Sequence, residues 1–211
     1  MGKFKNLIVA VLICGLIVGY YLYLSNRTVD LQKAQEASTN ANSEIAILMN
    51  RNLTGSYYPQ YPRDVVNFYT RIVKAYYTKN LTEKEIDALG KQSLKLFDKE
   101  LQIANPTEEF LSNLKLDIET YKELERSIYD VSVEDPEDIE IFTFQERQYA
   151  NVTAVFKIRE GGEIGAVYQD FMLRKDDEGY WRILYWVNSD PPLSEEDMTY
   201  SSEEAASLSS Q

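Results

Sequence analysis

Apolar residues recur along this chain at two different periods, and the change between them falls near Ser127. Before that point they return every three or four positions, which is the spacing of one helix face, and helices are predicted to begin near Arg63, Leu81 and Asn105. After it, apolar and polar residues alternate, as in half-buried strands. The alternation predicts five strands, at 127–133, 139–145, 150–159, 163–174 and 180–187. The pattern therefore predicts an α+β domain over residues 63–187, with three helices packed on a curved antiparallel sheet.

Local signals set the predicted ends of these elements. Thr82 and Glu85 have the spacing of a capping box at the start of the second helix, which the apolar spacing extends to Leu101. Asn105 is predicted to cap the third helix, with Pro106 in its first turn. The pair Gly161-Gly162 predicts a tight hairpin between the third and fourth strands.

The last predicted strand is apolar on both of its faces. Strict alternation places one set of side chains on one face, Trp181, Ile183, Tyr185 and Val187. It places the other set on the opposite face, Tyr180, Leu184 and Trp186. A strand of this kind is expected to be covered on both sides, by helices on one face and by a pocket, the stalk or another subunit on the other.

The first 24 residues have the composition of a membrane segment. Residues 7–24 contain no charged side chain and eleven Leu, Ile or Val residues, so a transmembrane helix is predicted there. Lys3 and Lys5, in a short tail at 1–6, predict a cytoplasmic N-terminus and an extracytoplasmic location for the rest of a single-pass cell-membrane protein. A cleaved signal peptide is the alternative, but the apolar run ends in Tyr-Tyr-Leu-Tyr-Leu, which offers no small-residue cleavage site.

Two polar segments flank the predicted domain. Residues 25–62 are predicted to form a stalk or linker, which ends in the helix-breaking sequence TGSYYPQYP. Residues 188–211 carry six acidic and no basic side chains together with seven serines, and they are predicted to be a disordered tail.

The charge and the missing residue types exclude several functions. The net charge of -12 disfavours binding to nucleic acid, whose phosphates would be repelled. The chain has no histidine, and its single cysteine, Cys14, lies in the apolar N-terminal run. Histidine-dependent catalysis, a nucleophilic thiol in the domain and most zinc sites are therefore not expected. No cofactor and no metal is predicted.

Three stretches of the sequence carry a family resemblance: 61-YPRDVVNFYTRIVKAYYT-78, 94-LKLFDKELQIANP-106 and the closing LRKDDEGYWRILYW. Three helices followed by a curved antiparallel sheet resemble the nuclear transport factor 2-like cone fold, which polyketide-cyclase and ketosteroid-isomerase relatives share. The three stretches resemble, more narrowly, a family of uncharacterised bacterial single-span membrane proteins. The plan of one helix and an exported domain is similar to that of inner-membrane assembly proteins of type IV secretion. These resemblances imply a fold and do not specify an activity.

Two classes of function remain open on the sequence. The first is a membrane-anchored, non-catalytic binding or assembly module, with a homodimer or a membrane protein as its partner. The second is a small-ligand enzyme or binding protein, isomerase- or dehydratase-like, that uses the cone cavity with a carboxylate base. Asp170 beside Tyr168 is the candidate base, because a carboxylate in an apolar cavity can have a raised pKa. Leu184 and Trp186 are the candidate apolar wall of the cavity or interface.

Overall fold

The computed structural model describes residues 43–78 and 80–191. The chain divides into two compact units, Met1–Ile47 and Leu48–Gln211. Of the first unit only residues 43–47 are described, and they are helical. The second unit contains the helices and the sheet described below.

Four helices precede the sheet within the second unit. They are α1 (Pro62–Thr78), α2 (Glu83–Leu94), α3 (Lys99–Ala104) and α4 (Thr107–Glu123), and a 3-10 turn at Gly55–Tyr57 comes before them. The predicted capping box is confirmed, since the Thr82 side chain accepts from the Glu85 backbone N–H while the Glu85 carboxylate accepts from the Thr82 N–H. The predicted cap at Asn105 is wrong by one residue, because α4 has Pro106 at its N-cap and Asn105 donates to the Leu101 carbonyl.

Five strands form one antiparallel sheet. They are β1 (Ser127–Val133), β2 (Glu140–Phe144), β3 (Arg147–Glu160), β4 (Glu163–Lys175) and β5 (Trp181–Ser189). The order is β1-β3-β4-β5, and β2 also pairs with β3. Because β4 pairs with β3 along 149–160, β1 and β2 share the other edge of β3, at 154–159 and 147–151 respectively.

Two β-bulges interrupt the alternation that the sequence predicts. The register shifts between Ile128 and Asp130 in β1, and opposite Met172 and Leu173 in β5, where Leu184 is the extra residue. A bulge reverses which face the following residues occupy. As a result Trp186 lies opposite Phe171 on the same face as Trp181, and the predicted assignment of these two tryptophans to opposite faces is wrong.

The core lies between the helices and one face of the sheet, here called the inner face; the opposite face is the outer face. Its largest fully buried side chains are Tyr58, Phe97, Phe171, Leu48, Ile72, Leu89, Leu96, Leu173, Ile183, Val65, Val66 and Val152. Leu48, Leu53 and Tyr58 come from the segment for which the sequence predicts a stalk. The Tyr58 hydroxyl donates to the Trp181 carbonyl at 2.7 Å, so this segment is tied to β5.

The helix predicted to run from Leu81 to Leu101 is interrupted after Leu94. Phe97 forms a parallel bridge with Ile183, because the Ile183 N–H donates to Leu96 and the Asp98 N–H donates to Ile183, at 2.9 and 2.8 Å. The chain re-enters a helix only at Lys99, with the Asp98 carboxylate accepting from the Glu100 N–H. Residues 96–98 thus become part of the sheet edge, which the apolar spacing alone did not indicate.

The predicted fold class, a transmembrane helix followed by three helices on a sheet, is corrected by these observations. Over the described residues the structure is α+β, with a curved antiparallel sheet preceded by helices. No helix within the described ranges combines the length and the apolar character that crossing a membrane requires. The residues on which the membrane helix was predicted, 7–24, lie outside the described residues, as do the tail at 1–6 and residues 192–211.

Candidate functional site

A cleft of about 1090 Å³ opens between α1, α4 and one end of the inner sheet face. Helix α1 brings tyrosines to it because positions 69, 73, 76 and 77 fall on one helix face. Helix α4 contributes Phe110, Leu114 and Tyr121, and the strands contribute Phe156, Ile158, Val167 and Trp186. Pockets that bind small molecules commonly have such apolar and aromatic walls and volumes of about 300–1,000 Å³.

Trp186 forms part of the cleft wall and contacts three other rings. Its ring centroid lies 5.6 Å from the ring centroid of Tyr69, 5.8 Å from that of Phe97 and 5.9 Å from that of Phe171. The bulge at Leu184 makes these contacts possible, because strict alternation would have placed the indole on the outer face. The indole is only half-buried, so it is both packed against the core and accessible from the cleft.

Three tyrosines of the cleft, Tyr69, Tyr76 and Tyr77, are neutral hydrogen-bonding groups. Burial raises the pKa of Tyr69 and of Tyr76 well above the ordinary value for tyrosine. The Tyr76 hydroxyl lies 3.1 Å from the Ser93 hydroxyl. Burial, and then the hydrogen bond to Asp117, also raise the pKa of Tyr77. A tyrosine with a raised pKa keeps its proton at physiological pH, so these residues can donate a hydrogen bond and cannot serve as bases.

A chain of polar and aromatic contacts runs along the cleft mouth. The Tyr77 hydroxyl donates to the Asp117 carboxylate, and the Tyr77 ring lies 4.0 Å from the ring of Tyr121. The Arg126 guanidinium stands 5.1 Å from the centroid of Tyr121. Its Nε and Nη2 atoms contact one oxygen of Glu160 at 2.9 and 2.7 Å.

The charged residues lining the cleft carry an excess of negative charge. They are three carboxylates and one guanidinium, Asp117, Glu160, Glu163 and Arg126. Because Arg126 is paired with Glu160, its charge is already offset. Within residues 43–78 and 80–191, neither Asp117 nor Glu163 forms an ion pair. The mouth of the cleft therefore has a negative field.

The four residues predicted for the site do not come together. Trp186 lines the cleft and Leu184 is the half-buried bulge residue beside it. Tyr168 and Asp170 alternate with the buried Phe171 and lie on the outer face. There the Asp170 carboxylate accepts from the Thr153 hydroxyl at 2.7 Å.

Asp170 has a carboxylate neighbour on the outer face, Glu134, which accepts from the Thr153 backbone N–H at 2.7 Å. Burial raises the pKa of Glu134, and the charges of Asp138 and Asp170 add to this effect. No group of three or more metal-ligating side chains that could hold an ion occurs in the described part of the chain. The two carboxylates thus flank Thr153 away from the cleft.

The residues of the cleft mouth could not be predicted from the sequence. None of these residues, Tyr77, Asp117, Tyr121, Arg126 and Glu160, is among the site residues that the sequence predicts. The available signal was the presence of tyrosines near the C-terminal ends of two helices, at KAYYT and at ETYKE. That signal does not show that the two helix ends meet, since the two rings are 44 positions apart in sequence.

Comparison with known proteins identifies a family and leaves its activity open. Residues 1–186 match the family described as a domain of unknown function (DUF6715). No curated protein matches the sequence.

Proposed function

The chain belongs to the DUF6715 family, and we propose that its described domain is a non-catalytic binding module that holds a ligand with an apolar or aromatic body in the cleft. The observation that supports this proposal is the cleft itself, about 1090 Å³ in volume with walls rich in aromatic and aliphatic side chains. Such walls bind by burial and ring contacts.

The position of Asp170 favours binding over catalysis in this cleft. An isomerase- or dehydratase-like reaction needs a carboxylate base within hydrogen-bonding reach of the substrate. Asp170, the candidate base, lies on the outer face and is bonded to Thr153. The carboxylates that do line the cleft are Asp117, Glu160 and Glu163, and all three are exposed residues. Asp170 therefore does not line the cleft and does not support the enzyme alternative.

The test uses Trp186 as a reporter in the full-length chain. The chain has two tryptophans, so Trp181→Phe leaves Trp186 as the only one. The probe is N-phenyl-1-naphthylamine, a neutral aromatic fluorophore, and binding is measured as energy transfer from Trp186. We expect saturable transfer with one binding site.

A cleft-filling variant and a matched control locate the bound probe. Gly165 lies opposite Ile158 on the inner face, and a Cβ added there meets no atom within 4 Å. Gly165→Phe should therefore be accommodated and should weaken binding by about tenfold or more. Ser132→Phe adds the same ring on the exposed outer side of β1 and should change nothing. Unsaturable transfer, or equal binding by both variants, would contradict the proposal.

A further inference from the structure

We propose that the cleft selects organic cations, that is, ligands with an aromatic or aliphatic body and a positively charged ammonium group. This inference rests on the proposed function, since it names the class of ligand for the same cleft. It goes further because an apolar cleft alone would not discriminate by charge.

The charged residues of the lining favour a cationic ligand. Asp117 and Glu163 supply two carboxylates at the mouth, and the only basic residue of the lining, Arg126, is held by Glu160. The whole chain has a net charge of -12, so its wider field has the same sign. A cleft with one sign of charge concentrates ligands of the opposite sign.

Aromatic rings lie beside the Asp117 carboxylate. The ring of Tyr77 stands next to that of Tyr121, and the Tyr77 hydroxyl is bonded to Asp117. The face of an aromatic ring attracts cations, by about 0.5–1 kcal/mol at exposed sites and more where water is excluded. A cation bound here would contact a ring face and a carboxylate at once.

One cation of the protein is already held between a tyrosine ring and a carboxylate. The Arg126 guanidinium lies 5.1 Å from the centroid of Tyr121 and 2.7 Å from Glu160. The cleft mouth thus repeats the same combination on the other side of Tyr121, with Tyr77 as the ring and Asp117 as the carboxylate. The geometry of Arg126 shows which chemistry fits there.

Charge also argues against the chain's own C-terminal segment as the occupant. Residues 192–211 include five acidic and no basic side chains. Like charges at the cleft mouth would repel this segment. A separate cationic ligand is the occupant to which the charges point.

Three probes of the same shape class test the inference on the full-length chain. They are benzyltrimethylammonium, its neutral carbon isostere neopentylbenzene, and the anion phenylmethanesulfonate. Binding is measured by fluorescence of Trp186 in the Trp181→Phe background. At low salt we expect the cation to bind about tenfold more tightly than the isostere, with the anion weakest. We also expect the preference for the cation to shrink as salt is added.

Charge-neutralising variants assign the preference to the carboxylates. Asp117→Asn with Glu163→Gln should bring the cation and the isostere to within about twofold of each other. Glu137→Gln with Glu140→Gln removes the same number of charges from exposed positions outside the cleft lining and should preserve the preference. If the first pair does not fold, the single variants Asp117→Asn and Glu163→Gln should each reduce the preference.

The outcomes separate this inference from the proposed function. Equal binding of cation and isostere by the unmodified cleft, or tighter binding of the anion, would overturn the selection of cations while the neutral fluorophore still bound at the cleft. A preference that persists in Asp117→Asn with Glu163→Gln would overturn it as well. Failure of Gly165→Phe to block the neutral fluorophore would instead overturn the proposed function.

Discussion

Among single residues, Asp98 stands out as a buried carboxylate that forms an ion pair. Its side chain is 5% exposed, and its two oxygens contact Nη2 and Nε of Arg174 at 2.5 and 3.1 Å. The same carboxylate caps α3 through the Glu100 N–H. One carboxylate thus connects the start of a helix to β4.

Replacement of Asp98 should therefore destabilise the fold strongly. Asp98→Asn leaves the guanidinium buried beside a neutral group, and removal of one partner of a buried pair costs about 3–5 kcal/mol. We expect about 3 kcal/mol, because Glu100 still contacts Arg174 at 2.8 Å. Urea unfolding followed by circular dichroism measures the loss.

An exposed ion pair provides the control for Asp98. Asp130 contacts Lys157 at 3.0 Å with both side chains nearly half exposed, and such pairs contribute at most about 1 kcal/mol. Asp130→Asn should thus lower stability by less than about 1 kcal/mol. Similar losses in the two variants would show that burial of the Asp98 pair is not what matters.

The raised pKa of Glu134 predicts a pH-dependent change in stability. A carboxyl group whose pKa is higher in the folded state binds its proton more tightly there, so its contribution is most favourable at acidic pH and is lost as pH rises through the folded pKa. Glu134→Gln should then raise the free energy of unfolding at pH 7, by less than about 1 kcal/mol, and should give no gain near pH 4. A destabilisation at pH 7 in urea titrations would contradict this sign.

The sequence was informative about residues whose partners are local. Thr82 and Glu85 are three positions apart, so their capping box could be predicted and is observed. Asp98, by contrast, has its partner Arg174 76 positions away in the sequence. No local pattern encodes such a contact, since it depends on how α3 meets β4.

At the scale of elements, the bulge at Leu184 has the largest effect on the site. It places Trp186 against Tyr69, Phe97 and Phe171. Trp186→Ala removes these contacts and should lower stability by about 3 kcal/mol, near the lower end for a tryptophan because the indole is half-buried. Urea unfolding followed by circular dichroism at a helix wavelength measures this without relying on tryptophan fluorescence.

The neighbouring Val187 serves as the control for this prediction. It lies on the outer face and is 51% exposed. Val187→Ala should change stability by less than about 1 kcal/mol. If it is the more damaging of the two, Trp186 is not on the inner face.

The hairpin between β2 and β3 offers an opportunity to stabilise the protein. Its two loop residues, Gln145 and Glu146, have φ of 48° and 65°, a conformation that suits Asn and Gly. Gln145→Asn with Glu146→Gly should raise the free energy of unfolding by about 1 kcal/mol. Thermal unfolding would show this as a higher midpoint, and an unchanged or lower midpoint would argue against strain in the turn.

The alternation of apolar and polar residues predicted the positions of the strands well. It assigned some side chains of the strands to the wrong face of the sheet. The five strands lie near the predicted positions, and the hairpin at Gly161-Gly162 is confirmed by the pairing of Glu160 with Glu163. The faces of β1 and β5 change at bulges that depend on the register of the neighbouring strand. A period of two read along one strand contains no information about that register.

At the scale of the whole molecule, the core extends to residues before the predicted domain start at Arg63. Leu48, Leu53 and Tyr58 are buried in it, and the Gln92 amide donates to the carbonyls of Met49 and Arg51 at 2.7 and 2.9 Å. A chain that begins at Arg63 would lack these contacts. We expect it to be unfolded, which its circular dichroism spectrum would show. A chain that begins at Ala41 should fold, and equal folding of the two chains would contradict the prediction.

The cleft is also a property of the whole molecule, which explains why most of it could not be predicted. Its lining comes from two helices and four strands, and only Trp186 among its residues was a predicted site residue. The aromatic content of α1 and of β5 indicated apolar walls in general terms. The meeting of Tyr77, Asp117 and Arg126 depends on where α4 ends relative to the sheet, and the sequence pattern does not specify that position.

The bridge between residues 96–98 and Ile183 has a consequence for aggregation. An exposed strand edge presents unpaired N–H and C=O groups to which another chain can add. The bridge occupies both backbone groups of Ile183, the third residue of the edge strand β5, and Asp98 holds it in place through Arg174. We therefore expect Asp98→Asn to scatter more light during refolding than Asp130→Asn, and equal scattering would contradict this role. Residues 96–98, which interrupt the second predicted helix, thus cover part of the edge of β5 and should reduce self-association while the sheet is forming.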